Sequence, residues 1–403
     1  MLAEIIVAII AGIIAGIFTG LTPGIHINLV SLLVVSVSGY FLGFLEATTL
    51  CVFIISMGVV HTFLDAIPSV FLGAPDAEQA LNALPGHVLL LKGMGYEAVK
   101  LTIIGSLLCL MLTIAIIPFL IPFVPSIYSS VEPYIGWLLL AVVLFMILKN
   151  KGWGAKFWST IIFLSSGLLG IIVFSTPNVQ QPLFPMLSGM FGISTLLTSL
   201  FNKVNLPEQK ISETIEVKPG DMVKALGAGT FSGCLIGLFP GLGAAQAAVL
   251  ASQLTGNIGM YGFMILVGGI NTVNFVFSLV TLYLLNKARN GAIVAVMEIM
   301  KSINLNDLIL FLSAALIAGG IATFMAMGIT RIFAKIMNKV NYSKLCWSVI
   351  IFIILMVCIF SGWLGLFVLI VSTAIGIVPV IKNVGRSNAM GCLLLPVILY
   401  FLL

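Results

Sequence analysis

Apolar runs separated by short polar breaks occupy nearly the whole chain. In the first part they cover 3–20, 27–45, 47–66, 98–124, 134–148, 157–175 and 183–201. In the second they cover 225–240, 243–256, 259–286, 307–330, 345–361, 363–381 and 388–403. A helix rises 1.5 Å per residue, so a run of roughly twenty residues matches the ~30 Å hydrocarbon layer of a bilayer. The runs are continuous, without the period-two alternation of a membrane β-barrel. They predict an all-α polytopic membrane protein with about 12–14 membrane segments. Residues 67–97 are less hydrophobic and hold Asp76, Glu78, Asn82 and His87; they read as a loop with a short interfacial helix or as a re-entrant element. A polar region at 286–306 holds the corresponding place later in the chain.

One interruption occurs twice. Gly20-Leu21-Thr22-Pro23-Gly24 returns 217 residues later as Gly237-Leu238-Phe239-Pro240-Gly241, and Gly12 and Gly16 match Gly229 and Gly233 at the same offset. Proline removes a backbone donor and clashes with the preceding turn, while glycine admits backbone angles that other residues avoid. Each Pro-Gly pair therefore breaks its helix and frees backbone polar groups. Such a break survives at membrane depth only when enclosed in protein or lining a wet cavity. The duplication divides the chain into repeat 1 (1–201), a polar linker (202–224) and repeat 2 (225–403). Each break is either a re-entrant hairpin or a turn between two full crossings.

Charge adds relative orientation, because Lys and Arg concentrate in cytoplasmic loops. Loop 149–156 carries Lys149, Lys151 and Lys156, whereas its second-half counterpart, 361–363, carries none. Loop 331–344 carries Arg331, Lys335, Lys339 and Lys344 against no basic residue in 118–134. Loop 382–386 carries Lys382 and Arg386 against none in 175–183. Opposite bias in matched loops predicts inverted-topology repeats, with both termini outside and the linker in the cytoplasm. Lys287, Arg289 and Lys301 run against this assignment.

Composition agrees with the pattern. The chain has 403 residues, 61% hydrophobic and 8% charged, against roughly 25% charged in soluble proteins; mean hydropathy is +1.24. The net charge of +5 sits in loops, where it sets topology and does not signal nucleic-acid binding. The six cysteines lie in apolar segments without paired spacing, so neither a disulfide framework nor a metal site is expected. The N-terminal run has Glu4 and no Lys or Arg before it, a poor cleavable signal, and is taken as the first membrane segment.

Two groups of residues carry candidate chemistry. A broken helix offers the partial positive charge of a new N-terminus to an anion. Around the first break the candidate substrate-binding residues are Thr22, Pro23, Gly24, His26, Asn28 and Ser31; around the second they are Pro240, Gly241, Gly243 and Gln246. No Arg or Lys lies inside an apolar segment of either repeat core, so helix ends and neutral polar groups must carry anion recognition. The plainer alternative is a pair of ordinary turns. His61 and Asp65 stand four apart on one helical face, and ionisable groups within membrane runs are functional candidates. With Asn271, Thr272 and Asn274 they form the candidate ion-coupling set, for Na⁺ or H⁺; the plainer alternative is helix–helix hydrogen bonding. His61-Thr62 is the expected repeat match of Asn271-Thr272. No catalytic residue, metal ligand or cofactor is expected.

The stretches Gly20–Ser31, Gly237–Ala248 and Leu72–Lys92 resemble the large permease subunit of the tripartite tricarboxylate transporters, the TctA family, in a compact, archaeal-type branch. Leu72–Lys92 departs from the family pattern at Asp76 and at Leu84-Pro85-Gly86-His87. The resemblance implies a plasma-membrane permease, a secondary transporter of di- or tricarboxylate-like organic anions driven by an ion gradient. In three-part systems of this kind a binding protein and a small membrane subunit assist. Neither partner is implied by this chain, and a homodimer is compatible with it. In the mechanism expected here, the two Pro-Gly tips meet near the midplane and one repeat rocks against the other. Two other classes compete: a polyprenyl or lipid-phosphate carrier, and an intramembrane metal-dependent hydrolase using His26, His61, Asp65 and His87. The hydrolase lacks a His-Glu-x-x-His pairing.

Overall fold

The computed structural model describes the chain apart from residues 1, 23–26, 73–82, 177–181, 202–206, 213, 240–242 and 340. The side chains at 28, 29, 32, 36, 37, 83, 84, 245, 246, 249, 250, 253 and 342 also lie outside the description. Pro23, Gly24, His26, Asp76, Glu78, Asn82, Pro240 and Gly241 therefore fall outside the described residues, as do the side chains of Asn28 and Gln246.

The described residues are helical, with no strand among them. The first half comprises α1 (Leu2–Leu21), α2 (Ile27–Phe41), α3 (Ala47–Leu64), α4 (Ala66–Phe71), α5 (Ala83–Leu90), α6 (Gly95–Leu120), α7 (Val124–Val131), α8 (Ile135–Leu148), α9 (Trp153–Phe174), α10 (Leu183–Leu187) and α11 (Ser194–Phe201). A π-helical turn, Ser188–Ile193, joins the last two. The second half comprises α12 (Pro219–Leu238), α13 (Ala244–Thr255), α14 (Gly259–Leu285), α15 (Gly291–Met300), α16 (Leu305–Met337), α17 (Tyr342–Ile381) and α18 (Gly391–Leu402). Nine helices among the described residues are long and apolar enough to cross a membrane. One of them, α17, turns sharply at Gly362, where φ is +63°; glycine takes that left-handed angle without a Cβ clash. The two expected segments 345–361 and 363–381 are its two arms.

Two helices form the centre. Ala47–Phe71 (α3 with α4) and α14 are each 94% buried, whereas α1 and α8 leave much of their surface outward. A helix apolar on all sides belongs inside a bundle. Backbone contact requires small residues, and glycine supplies it at the closest crossings. A Cβ added at Gly12, Gly16 or Gly20 of α1 would lie 2.6–3.1 Å from the carbonyl oxygens of Phe53, Met57 and His61 in α3. At Gly229, Gly233 and Gly237 of α12 it would lie 3.1 Å from those of Leu266, Ile270 and Asn274 in α14.

These contacts set the internal register. Phe53, Met57 and His61 stand where Leu266, Ile270 and Asn274 stand. The expected match of His61-Thr62 with Asn271-Thr272 is therefore displaced by about one helical turn. Hydropathy alone carries no register along two uniformly apolar helices; the glycine contacts do.

The halves interleave. Helix α3 packs on α16, and α14 packs on α6. A Cβ at Gly105 of α6 would meet the Ile265 carbonyl oxygen at 2.0 Å, and one at Gly268 of α14 would meet that of Thr102 at 2.2 Å. Helices α8–α11, α17 and α18 form a second bundle with the same exchange. Gly170 of α9 faces the Cys392 carbonyl at 2.0 Å, and Gly376 of α17 faces that of Met190 at 2.2 Å. The expected rocking of one repeat against the other conflicts with this packing, because each half is locked backbone-to-backbone into the other.

Part of the segment assigned as linker is docked. Gln209 is buried; its Oε1 accepts from the Gly95 amide at 3.0 Å and its Nε2 donates to the Leu90 carbonyl at 3.0 Å. The Lys210 amide donates to the Gly93 carbonyl at 2.8 Å. The chain is therefore pinned across the junction of α5 and α6 before α12 begins.

Candidate functional site

Both interrupted helices end against the central pair at matching places. The last turn of α1 brings Thr19 Oγ1 to 3.1 Å from His61 Nδ1, and Gly20 lies against the His61 backbone. The last turn of α12 sets Gly237 against Asn274 and Phe277, and Thr281 Oγ1 donates to the Gly237 carbonyl at 2.7 Å. That bond satisfies one of the carbonyls a helix leaves open at its C-terminal end. Thr22 Oγ1 donates to the Phe18 carbonyl at 2.8 Å and so closes the end of its own helix.

The candidate ion-coupling residues gather between these ends. His61, Asp65, Asn271, Thr272 and Asn274 are all buried, none more than 8% exposed. Asn271 Nδ2 donates to Asp65 Oδ2 at 2.7 Å. Thr62 and Thr272 hydroxyls lie 3.0 Å apart, and Thr62 Oγ1 also donates to the Val59 carbonyl at 2.8 Å. Asn271 Oδ1 is buried and accepts no hydrogen bond among the described residues. Asp65 joins α3 to α4 with helical backbone angles (φ −60°, ψ −23°), and its carboxylate reaches α14. Asn274 lies against the end of α12 instead, and its carbonyl accepts from Ser278 Oγ at 2.7 Å. The arrangement links α3 to α14 by two polar pairs that leave oxygen atoms at the centre of the apolar core.

The substrate set is less complete. Ser31 is buried on α2, and its hydroxyl has no partner among the described residues. Ile27 at the start of α2 reaches the centre, where a Cβ at Gly58 would lie 2.7 Å from Ile27 Cδ1 and 2.1 Å from Phe275. Gly243 precedes α13, and its carbonyl accepts from the Ala247 amide at 3.1 Å. His87 stands apart from Asp65 in its contacts. It is buried on α5 with Nε2 3.4 Å from Ser199 Oγ of α11. Burial, with the Arg386 cation nearby, pulls its pKa down from 6.5 to about 4. Among the described residues, no three His, Cys, Asp or Glu side chains are grouped so as to hold a metal ion.

The basic residues near the second break escaped the sequence reading, which treated Lys287 and Arg289 only as topology markers. Tyr128 of α7 stacks on Phe239, the residue before Pro240, with ring centroids 5.8 Å apart and planes 14° apart. Lys287 Nζ and Arg289 Cζ sit 4.5 Å and 5.3 Å from the Tyr128 ring centroid. The available sequence signal was their position just after α14, in the counterpart of the Asp76 region.

The chain is similar to known proteins over almost its full length. Residues 6–391 match the model of the Tripartite tricarboxylate transporter TctA family. A protein of Methanocaldococcus jannaschii, described as Uncharacterized protein MJ1079, is 32% identical over 393 residues, covering 94% of each chain. No solved structure matches. With nine apolar helices of spanning length among the described residues and a family match across both interrupted helices, the chain belongs to the tripartite tricarboxylate transporter TctA family.

Proposed function

We propose that this chain is a secondary active transporter of small organic anions, di- or tricarboxylate-like, coupled to Na⁺ or H⁺ and working by alternating access. Family membership supports the coarser reading, a multi-pass membrane transporter of tricarboxylate-type substrates. The finer reading rests on one observation: two interrupted helices end on a shared, buried polar cluster built from α3 and α14. The helices that resume after the breaks, α2 from Ile27 and α13 from Ala244, supply positive N-termini for a carboxylate, while the carbonyl ends of α1 and α12 suit a cation. Asp65 and the open Oδ1 of Asn271 supply oxygens for a hard cation or a proton. Binding both at one place couples their movement. Because the halves interleave, the moving bodies are the central bundle and the α8–α11, α17–α18 bundle, each made from both halves.

The test is uptake into proteoliposomes by Gly24→Leu and Gly241→Leu variants. Both fold and neither transports on this reading; undiminished uptake in both would defeat it. A binding protein and a small membrane subunit belong to the same proposal as delivery partners, and omission of both from the assay then lowers the rate at dilute substrate.

A further inference from the structure

The α14–α15 junction holds an arrangement that the packing of the protein does not use. Arg289 Nε, Arg289 Nη2 and Asn290 Nδ2 are buried, and none has a hydrogen-bond partner among the described residues. Asn290 already uses its Oδ1, which accepts from the Ile293 amide at 2.9 Å as the N-cap of α15. All the open groups are therefore donors. Leaving a donor buried and unpaired costs about 1–3 kcal/mol, more when it is charged. Three together at the positive end of a helix describe a receptor for an acceptor-rich anion.

The surroundings favour the same ligand. Glu132 feels the Arg289 charge but its Oε1 is taken up elsewhere, accepting from Tyr128 and, at 3.2 Å, from Lys287. The Tyr128 hydroxyl, 3.0 Å from Lys287 Nζ, and the Glu132 carboxylate hold the lysine above its ordinary pKa, so it stays charged. The guanidinium face is given to the Tyr128 ring, and its in-plane donors remain for a bidentate partner. Tyr128 in turn stacks on Phe239, which ties the cluster to the second interruption.

We propose that Arg289, Asn290 and Lys287 bind one oxyanion group, a carboxylate of the transported substrate, beside the second break. The identity of that anion rests on the transport reading above; the donor set itself does not. Its open donors are shut off from solvent in this conformation, as expected of a site that alternates between closed and open. A lipid phosphate offers the same acceptor chemistry, and the test separates the two.

The full chain in neutral phosphatidylcholine nanodiscs is titrated with citrate and with sulfate while its thermal midpoint is followed. A parallel sample uses phosphatidylglycerol nanodiscs without added anion. Arg289→Gln removes the fork. Asn290→Asp keeps the capping oxygen and replaces the donor with an acceptor. Arg331→Gln, an exposed arginine of α16, is the control. Apparent affinity for both anions should fall about tenfold or more in the two site variants and hold in the control. The unliganded midpoint of Arg289→Gln should stay close to the wild type, since two buried unpaired donors are removed together with the contacts to Tyr128 and Glu132. Site variants that titrate like wild type would overturn the proposal, as would stabilisation by phosphatidylglycerol with none by citrate or sulfate. In uptake assays the KM should rise with the saturated rate kept. If no carboxylate is transported yet sulfate binding still depends on Arg289, the transport reading fails and the site stands.

Discussion

At the scale of single residues, Asp65 and Asn271 are the pair whose chemistry exceeds their structural need. A hydrogen bond between membrane helices contributes only about 1 kcal/mol, and an apolar pair could pack there without leaving Asn271 Oδ1 open. Asp65→Asn keeps the volume and a bond to Asn271 but removes the carboxylate. Its thermal midpoint should stay close to wild type while the dependence of uptake on the Na⁺ or H⁺ gradient disappears. Uptake that still follows the gradient in the variant would place coupling elsewhere. Residue identities here were legible in the sequence, since a carboxylate and a pair of amides inside apolar runs are conspicuous. Their pairing was not, because Asp65 and Asn271 are joined across the two halves and only tertiary contact brings them together.

At the scale of helices, glycine decides which surfaces touch. Gly268 and Gly320 both sit within long apolar helices, yet they differ in surroundings. A Cβ at Gly268 would meet the Thr102 carbonyl at 2.2 Å, and one at Gly320 would meet nothing within 4 Å. Gly268→Ala should therefore destabilise by about 1–3 kcal/mol through overpacking against backbone. Gly320→Ala should stabilise by about 0.4–1 kcal/mol through the lost entropy of the unfolded chain. Denaturation of the two variants in detergent distinguishes them, and a common sign would refute the backbone-contact account. The four-residue spacing of Gly12, Gly16 and Gly20, echoed at Gly229, Gly233 and Gly237, announced one glycine face on each interrupted helix. The opposing faces on α3 and α14 carried no such mark, so their register was misread by a turn. The clustering of Lys287 and Arg289 was not legible for another reason: loop charges inform topology only statistically, and only the fold brings these two onto Tyr128.

At the scale of the molecule, the seam between the two bundles is where alternating exposure would act, and His87 lies on it. Leu72 and Leu91 pack against the cluster formed by α11 and α17, and His87 of α5 meets Ser199 of α11. Burial favours the neutral imidazole, with Arg386 adding repulsion, so the folded pKa falls from 6.5 to about 4. The unfolded chain then takes up the proton first as pH drops. Stability from this residue is complete above 6.5 and drains away as pH falls toward 4, by about 3 kcal/mol in all. His87→Gln places a polar amide opposite Ser199 and has no proton to gain. Between pH 7 and 4.5 the thermal midpoint of wild type should therefore fall more steeply than that of His87→Gln. Parallel slopes would mean that acid acts through other groups. A steeper wild-type slope accompanied by faster uptake at pH 5 would tie protonation of His87, facing Arg386, to loosening of the seam itself.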